Sequence, residues 1–180
     1  MTRSTILRSL LAIAVAGAAG TALRAADAMR IVPLVDHETL IVSVELPDAY
    51  TDDVKEAVSS GLRTSFTYDV DLRMKATVWF DRTVASEVVT TSDQYDNLTM
   101  RHSLSRTIDG HVDETLVTED AGIAKRWLTS LTRVPLCKTS RLDQSRDYYV
   151  RISARARPHG GSILGWANPI TGAAKFTFVP

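Results

Sequence analysis

Disulfide chemistry is closed to this chain, because Cys137 is its single cysteine and no internal bridge can form. The core must therefore hold on packing alone. Cys137 sits in Val134-Pro135-Leu136-Cys137 with no thiolate-stabilising neighbour in sequence, and reads as a small apolar residue rather than a nucleophile. A charge excess is missing too. Lys plus Arg and Asp plus Glu both number 21, which removes the electrostatic case for a nucleic-acid partner. No internal repeat, low-complexity tract, GxSxG elbow or phosphate-binding glycine loop occurs. The four histidines, His37, His102, His111 and His159, have no metal-ligand spacing such as HExxH, and His102 falls on an apolar strand face as a hydrogen-bonded core residue would. No cofactor is expected from these patterns.

A long apolar run is also missing after the first 28 residues. Within them, Arg3 and Arg8 precede the short apolar stretch 10–20 (LLAIAVAGAAG), and Ala26-Asp27-Ala28 supplies small residues where a signal peptidase reads. The stretch is short of the roughly 20 apolar residues that span a bilayer. The expectation is a signal peptide over 1–28, cleavage before Met29, and one exported domain over 29–180 in the periplasm or cell envelope; an uncleaved anchor is the alternative. Arg3 and Arg8 are not adjacent, so the twin-arginine pattern is absent, and no cysteine follows the run for lipid attachment.

With 44% hydrophobic and 23% charged residues over its full length, the chain reads as globular. Residues 29–35 and 39–46 read as strands around the polar turn Asp36-His37-Glu38. Thr51 caps a short helix carrying Asp52 and Asp53 in its first turn and Val54, Ala57 and Val58 on one face, with Gly61 past its end. Next comes the clearest period in the chain. Phe66, Tyr68, Val70, Leu72 and Met74 alternate with Thr67, Asp69, Asp71, Arg73 and Lys75, the mark of a half-buried antiparallel strand. Residues 77–91 predict a long or broken strand. Residues 98–108 predict another, with Leu98, Met100, His102, Leu104 and Ile108 inside and Arg106 as a misfit. Asp109-Gly110 signals a hairpin into 111–117. A second helix is expected over 119–132, capped by Thr118, striped by Ile123, Ala124, Trp127, Leu128 and Leu131, and ended by Pro135. A strand over 147–157, a Pro/Gly loop over 158–172 and a last strand over 173–179 complete the chain. The order is ββ-α-ββββ-α-ββ. Without βαβ alternation it predicts an α+β fold, a β-rich twisted antiparallel meander with two helices packed on it.

Candidate chemistry is sparse. Arg151, Arg155 and Arg157 share a strand face and can either pair across the sheet with Asp69 and Asp71 or, left unpaired, meet an anion or lipid headgroup. Trp166, in Ile163-Leu164-Gly165-Trp166-Ala167, offers a contact to a partner or to a membrane surface unless it folds back over the sheet. These four residues are the expected interaction surface. The acidic 109–114 segment lacks the spacing of a calcium loop and reads as a hairpin tip.

The blocks ELPDAYTDDVKEAVSSGL (45–62), SFTYDVDL (65–72), WFDRTVAS (79–86), YDNLTMRHSLSRTIDG (95–110), TEDAGIAKRWLTSLTRVPL (118–136) and RDYYVRISARARP (146–158) resemble, in order, an exported bacterial family known as domain of unknown function 4390. The resemblance spans nearly the whole mature chain. It implies no activity, cofactor or catalytic residue, and it implies envelope proteins, some encoded beside sensor kinases. The reading that follows is a non-enzymatic, protein-binding or regulatory envelope module whose partner is an envelope protein such as a sensor kinase. A periplasmic carrier of a lipid or other apolar ligand, its pocket lined by Phe66, Tyr68, Trp79 and Trp127, is the alternative.

Overall fold

The structure, a computed structural model, describes residues 29–76, 80–158 and 169–176. The signal-peptide segment, Trp79, His159 and Trp166 lie outside the described residues. Among the described residues nine strands and two α-helices follow one another as β1 (Arg30–Asp36), β2 (Thr39–Glu45), α1 (Asp52–Ser59), β3 (Thr64–Met74), β4 (Arg82–Asp96), β5 (Arg101–Ile108), β6 (His111–Thr118), α2 (Ala121–Thr129), β7 (Ser130–Lys138), β8 (Tyr148–Pro158) and β9 (Ile170–Phe176). Every pairing is antiparallel. The α+β reading and the predicted order hold, and the structure adds β7 between α2 and β8. It also divides the strands into two sheets, a small one ordered β1-β2-β7 and a large one ordered β6-β5-β4-β3-β8-β9.

Period-two patterning explains the large sheet. Phe66, Tyr68, Val70 and Leu72 of β3 are buried, as are Tyr148, Val150, Ile152, Ala154 and Ala156 of β8. These faces meet Leu40, Val42 and Val44 of β2 and Leu131, Val134 and Leu136 of β7 in one core. Two hairpins close on pairs of residues with positive φ: His37 (44°) and Glu38 (63°) between β1 and β2, and Asp109 (48°) and Gly110 (80°) between β5 and β6. Such pairs match the twist of the flanking strands. On the far side β1 crosses β9 so closely that a Cβ on Gly172 would stand 2.9 Å from Met29 Sδ.

The second helix is shorter than the sequence suggests. Asp120, not Thr118, caps it, accepting from Gly122 N at 2.7 Å and Ile123 N at 3.2 Å. Thr118 instead accepts from Asp120 N through Oγ1 at 3.1 Å. After Thr129 the chain turns directly into β7. Leu131 and Val134 are three apart, a helical spacing, yet both face inward because Arg133 has φ 57° and the β2–β7 register shifts there. A β-bulge thus imitates the helical period. Pro135 does not stop a helix; it lies exposed on β7, an edge strand, where a missing N–H is tolerated. Leu98 and Met100 are likewise not inside. They belong to the β4–β5 turn, 95% and 62% exposed, where Asp96 Oδ1 accepts from Leu98 N at 2.8 Å.

Both helices lie against β3 and β4. The fully buried Tyr68 donates its hydroxyl to the Leu128 carbonyl at 2.5 Å, and Thr91 Oγ1 donates to the same oxygen at 3.3 Å. One residue later, Thr129 O accepts from Leu46 N at 2.8 Å. Burial pushes the Tyr68 phenol far above its ordinary range, so it remains a donor at any physiological pH. Tyr68→Phe is expected to lower stability by about 1–2 kcal/mol, read as a lower urea midpoint at unchanged slope.

Candidate functional site

The outer face of the large sheet carries the predicted arginines. Alternation on β8 sets Arg151, Arg155 and Arg157 on that face beside Asp69 and Asp71 of β3. Only one of the three is neutralised: Arg155 forms an ion pair with Asp69. Arg151 lies opposite Asp71, whose Oδ1 instead accepts from Ser86 Oγ at 2.8 Å. Among the described residues Arg151 and Arg157 have no carboxylate within ion-pair distance. Farther along, Asp81 gathers two donors, Tyr149 OH at 2.7 Å and Ala76 N at 3.1 Å, while its carbonyl accepts from Arg73 at 2.9 Å. The Tyr149 hydroxyl, followed by the Ala76 N–H, holds Asp81 below the usual carboxylate range. The rest of this face is hydroxyl-rich: Ser92 and Ser105 share a hydrogen bond of 2.7 Å, and Arg63 donates to Ser92 at 3.2 Å.

Among the described residues the inner face holds one buried ionisable pair. Asp93 on β4 is fully buried, and His102 on β5 turns its Nδ1 to Asp93 Oδ2 at 2.9 Å. The Tyr95 ring flanks the imidazole at 4.6 Å between centroids. His102 is the hydrogen-bonded core histidine that its strand position suggests. The sequence offered no sign of its partner, since Asp93 lies diagonally across the β4–β5 pair. Among the described residues no hydroxyl or thiol hydrogen-bonds this imidazole, so a Ser-His-Asp relay lacks its nucleophile. No group of three potential metal ligands occurs among the described residues. The misfit Arg106 also finds its place: its guanidinium stacks 5.3 Å from the centroid of Trp127 and pairs with Asp113 and Glu114 of β6.

The outer face of the small sheet was not legible in the sequence. Leu34, Ile41 and Pro135 stand in one cross-strand row over β1, β2 and β7, with Val32 two residues away on β1. Val32 is 51% and Leu34 54% exposed. Ile41 is only 7% exposed although it lies outside the core cluster, so its cover is this surface row. Charges rim the patch: Arg30 pairs with Glu45 at 3.7 Å, and Arg133 pairs with Asp36. Arg133 N also donates to Ser43 Oγ at 3.2 Å, which fixes the β7 bulge beside the patch. An apolar centre inside a polar rim has the anatomy of a protein interface.

Core side chains of both sheets meet in one cluster among the described residues. The void beside Leu46, Ala49 and Phe66 measures about 10 Å³, room for about one water. The Trp127 indole is half-buried and donates to Ser105 O at 3.2 Å, which ties it to the large sheet.

The family described as Domain of unknown function (DUF4390) matches residues 25–158, and the chain belongs to it. Comparison with curated proteins and with solved structures found no match.

Burial holds Asp93 above the ordinary carboxylate range, and the His102 bond opposes that rise. A carboxyl raised in the fold stabilises it below the unfolded pKa, and this advantage is lost as pH rises through the folded value. His102→Leu removes the opposing influence, so its penalty should be small near pH 4 and grow to about 3–5 kcal/mol at neutral pH, the cost of an orphaned buried charge. Urea unfolding across that pH range checks this; a penalty independent of pH would contradict the assignment.

Proposed function

We propose that the chain is an exported, non-enzymatic envelope module that binds another protein through the outer face of its small sheet. The observation that carries this reading is the row Leu34–Ile41–Pro135 with Val32, an apolar patch on regular β-structure inside a rim of ion pairs. Folding leaves Val32 and Leu34 about half exposed to water. Such exposure on a well-paired sheet is retained where a second surface covers it. The partner has the converse chemistry, an apolar centre with flanking charges, and an envelope protein such as the sensing domain of a kinase is a candidate. Pro33 lies within β1 itself and blunts its use as a template strand, which favours engagement by the face rather than by the edge.

The void beside Phe66 among the described residues bears on the carrier reading. A carrier of an apolar molecule needs roughly 300 Å³ or more of enclosed space, against the void of about 10 Å³ beside Phe66. That contrast supports surface binding over internal carriage.

The test is capture of the tagged full-length protein after gentle crosslinking in cells, beside a Leu34→Glu variant. Leu34 is 54% exposed but helps cover Ile41, so thermal unfolding of the variant is measured beside the capture, and a stability loss within about 1 kcal/mol shows that the fold is kept. Wild type should recover one stoichiometric protein that the variant loses, with a mature N-terminus at Met29. Retention of the same partner by Leu34→Glu, or recovery of a specific lipid without protein, would overturn the proposal.

A further inference from the structure

The connection from β7 to β8 crosses from the small sheet to the large one and is pinned at both ends. Its first turn, the short 3-10 helix Thr139–Arg141, is held to the β1–β2 turn: Glu38 O accepts from Thr139 N at 2.7 Å and from Thr139 Oγ1 at 3.1 Å. At the other end Asp143 N donates to the hydroxyl of Tyr148, a buried residue of β8, at 2.9 Å. Between this connection and the ends of β3 and β4 lies an open depression of about 330 Å³. That volume falls at the lower end of the range for small-molecule sites, about 300–1,000 Å³.

Its walls are chemically divided. Met74, Val84 and Tyr148 present apolar surface, while Arg82, Thr83, Arg141 and Asp143 form the polar side. Arg82 stands on β4 of the large sheet, and Arg141 on the turn tied to the small sheet. Neither guanidinium makes an ion pair or a side-chain hydrogen bond among the described residues. Among the described residues Arg30, Arg101, Arg106, Arg133, Arg146 and Arg155 each have a carboxylate partner; Arg63, Arg73, Arg126, Arg151 and Arg157 have none, and what sets Arg82 and Arg141 apart is that they line the same depression. The carboxylate in the depression does not neutralise the two arginines. Asp143 Oδ1 accepts from Ser145 N at 2.9 Å and Ser145 Oγ at 2.7 Å, and Oδ2 faces Arg146 at 3.8 Å, so its charge is engaged within its own turn.

Two arginines that line one concavity and have no carboxylate partner among the described residues suit an oxyanion, which arginine forks bind with two parallel hydrogen bonds. The apolar wall suits a hydrocarbon substituent, which leaves water on burial. We infer that this depression binds an amphipathic oxyanion, with its carboxylate or phosphate head between Arg82 and Arg141 and a short apolar group against Met74, Val84 and Tyr148. The head belongs either to a free metabolite or to a membrane lipid. The site is separate from the small-sheet patch and does not depend on it.

The test titrates the full-length protein with octyl phosphate and with octanoate by calorimetry at constant ionic strength, and measures its sedimentation with vesicles containing phosphatidylglycerol. At least one probe should bind, with affinity falling tenfold or more in both Arg82→Gln and Arg141→Gln. Arg126→Gln, at an arginine on α2 remote from the depression, should bind as wild type does. Both critical side chains are exposed, so thermal unfolding of these variants should match wild type, which separates a lost site from a lost fold. Binding of the soluble probes without vesicles assigns a free ligand, and vesicle binding that requires both arginines assigns a lipid head. No binding to any probe, or equal loss in Arg126→Gln, overturns the inference.

Discussion

One carbonyl oxygen organises this molecule. Leu128 O, near the end of α2, is reached by the Tyr68 hydroxyl from the central region of the large sheet and by Thr91 from the neighbouring strand. The next residue's carbonyl accepts from Leu46, just past β2 of the small sheet. A helix end ordinarily leaves its last carbonyls without partners. Here the two sheets supply the donors, so the chain is held where it leaves α2 and starts β7. A buried carbonyl with no donor costs about 1–3 kcal/mol, so polar satisfaction and sheet placement are the same requirement. The fit also restricts position 68 to a ring that fills core volume and ends in a donor, a combination that Phe and Leu lack.

From that junction the division of labour between faces follows. The inner faces meet in one core, and the ionisable pair they bury among the described residues is matched as Asp93 with His102. Arg106 lies at the margin of the same face and is accommodated by stacking on Trp127 with two carboxylates beside it. The outer faces take the remaining charge. On the large sheet this is a lattice of hydroxyls and cross-strand pairs; on the small sheet the charges retreat to the rim and leave Val32, Leu34 and Pro135 at the centre. A polar outer face is what solvent alone would select, and an apolar one is not. The small sheet therefore carries the surface whose composition solvation does not explain.

The sequence reveals elements whose local period agrees with their burial. β3 and β8 alternate over eleven residues each, and both were readable, as was the Asp109-Gly110 turn. It misleads where a single residue leaves the regular backbone. Arg133 at φ 57° moves Leu131 and Val134 to the same face at a helical spacing, so β7 looks like the tail of α2. Met100 at φ 56° belongs to a turn, which ends the apparent alternation from Leu98. The candidate surfaces divide in the same way. Three arginines on one strand face are visible as a period, although the period does not reveal that Arg155 alone has a carboxylate partner. The Leu34–Ile41–Pro135 row joins residues about a hundred positions apart through register, and no one-dimensional pattern encodes it. The pairing of Asp93 with His102 is hidden for the same reason.

Register also explains why both surfaces read as functional lie where the two sheets constrain one another. The apolar row needs β7 beside β2, and the Arg82–Arg141 depression needs the β7–β8 connection to span from the small sheet to the large. Both depend on where β7 begins, and that is fixed at the end of α2 by the Leu128 and Thr129 carbonyls. Loss of the Tyr68 bond would therefore loosen the β7 path and both surfaces together. Substitution at Leu34 or Arg82 acts on one surface and leaves the path intact. The interior thus sets the relative position of the sheets, and the proposed binding residues Leu34 and Arg82 lie outside the bonds that fix the start of β7.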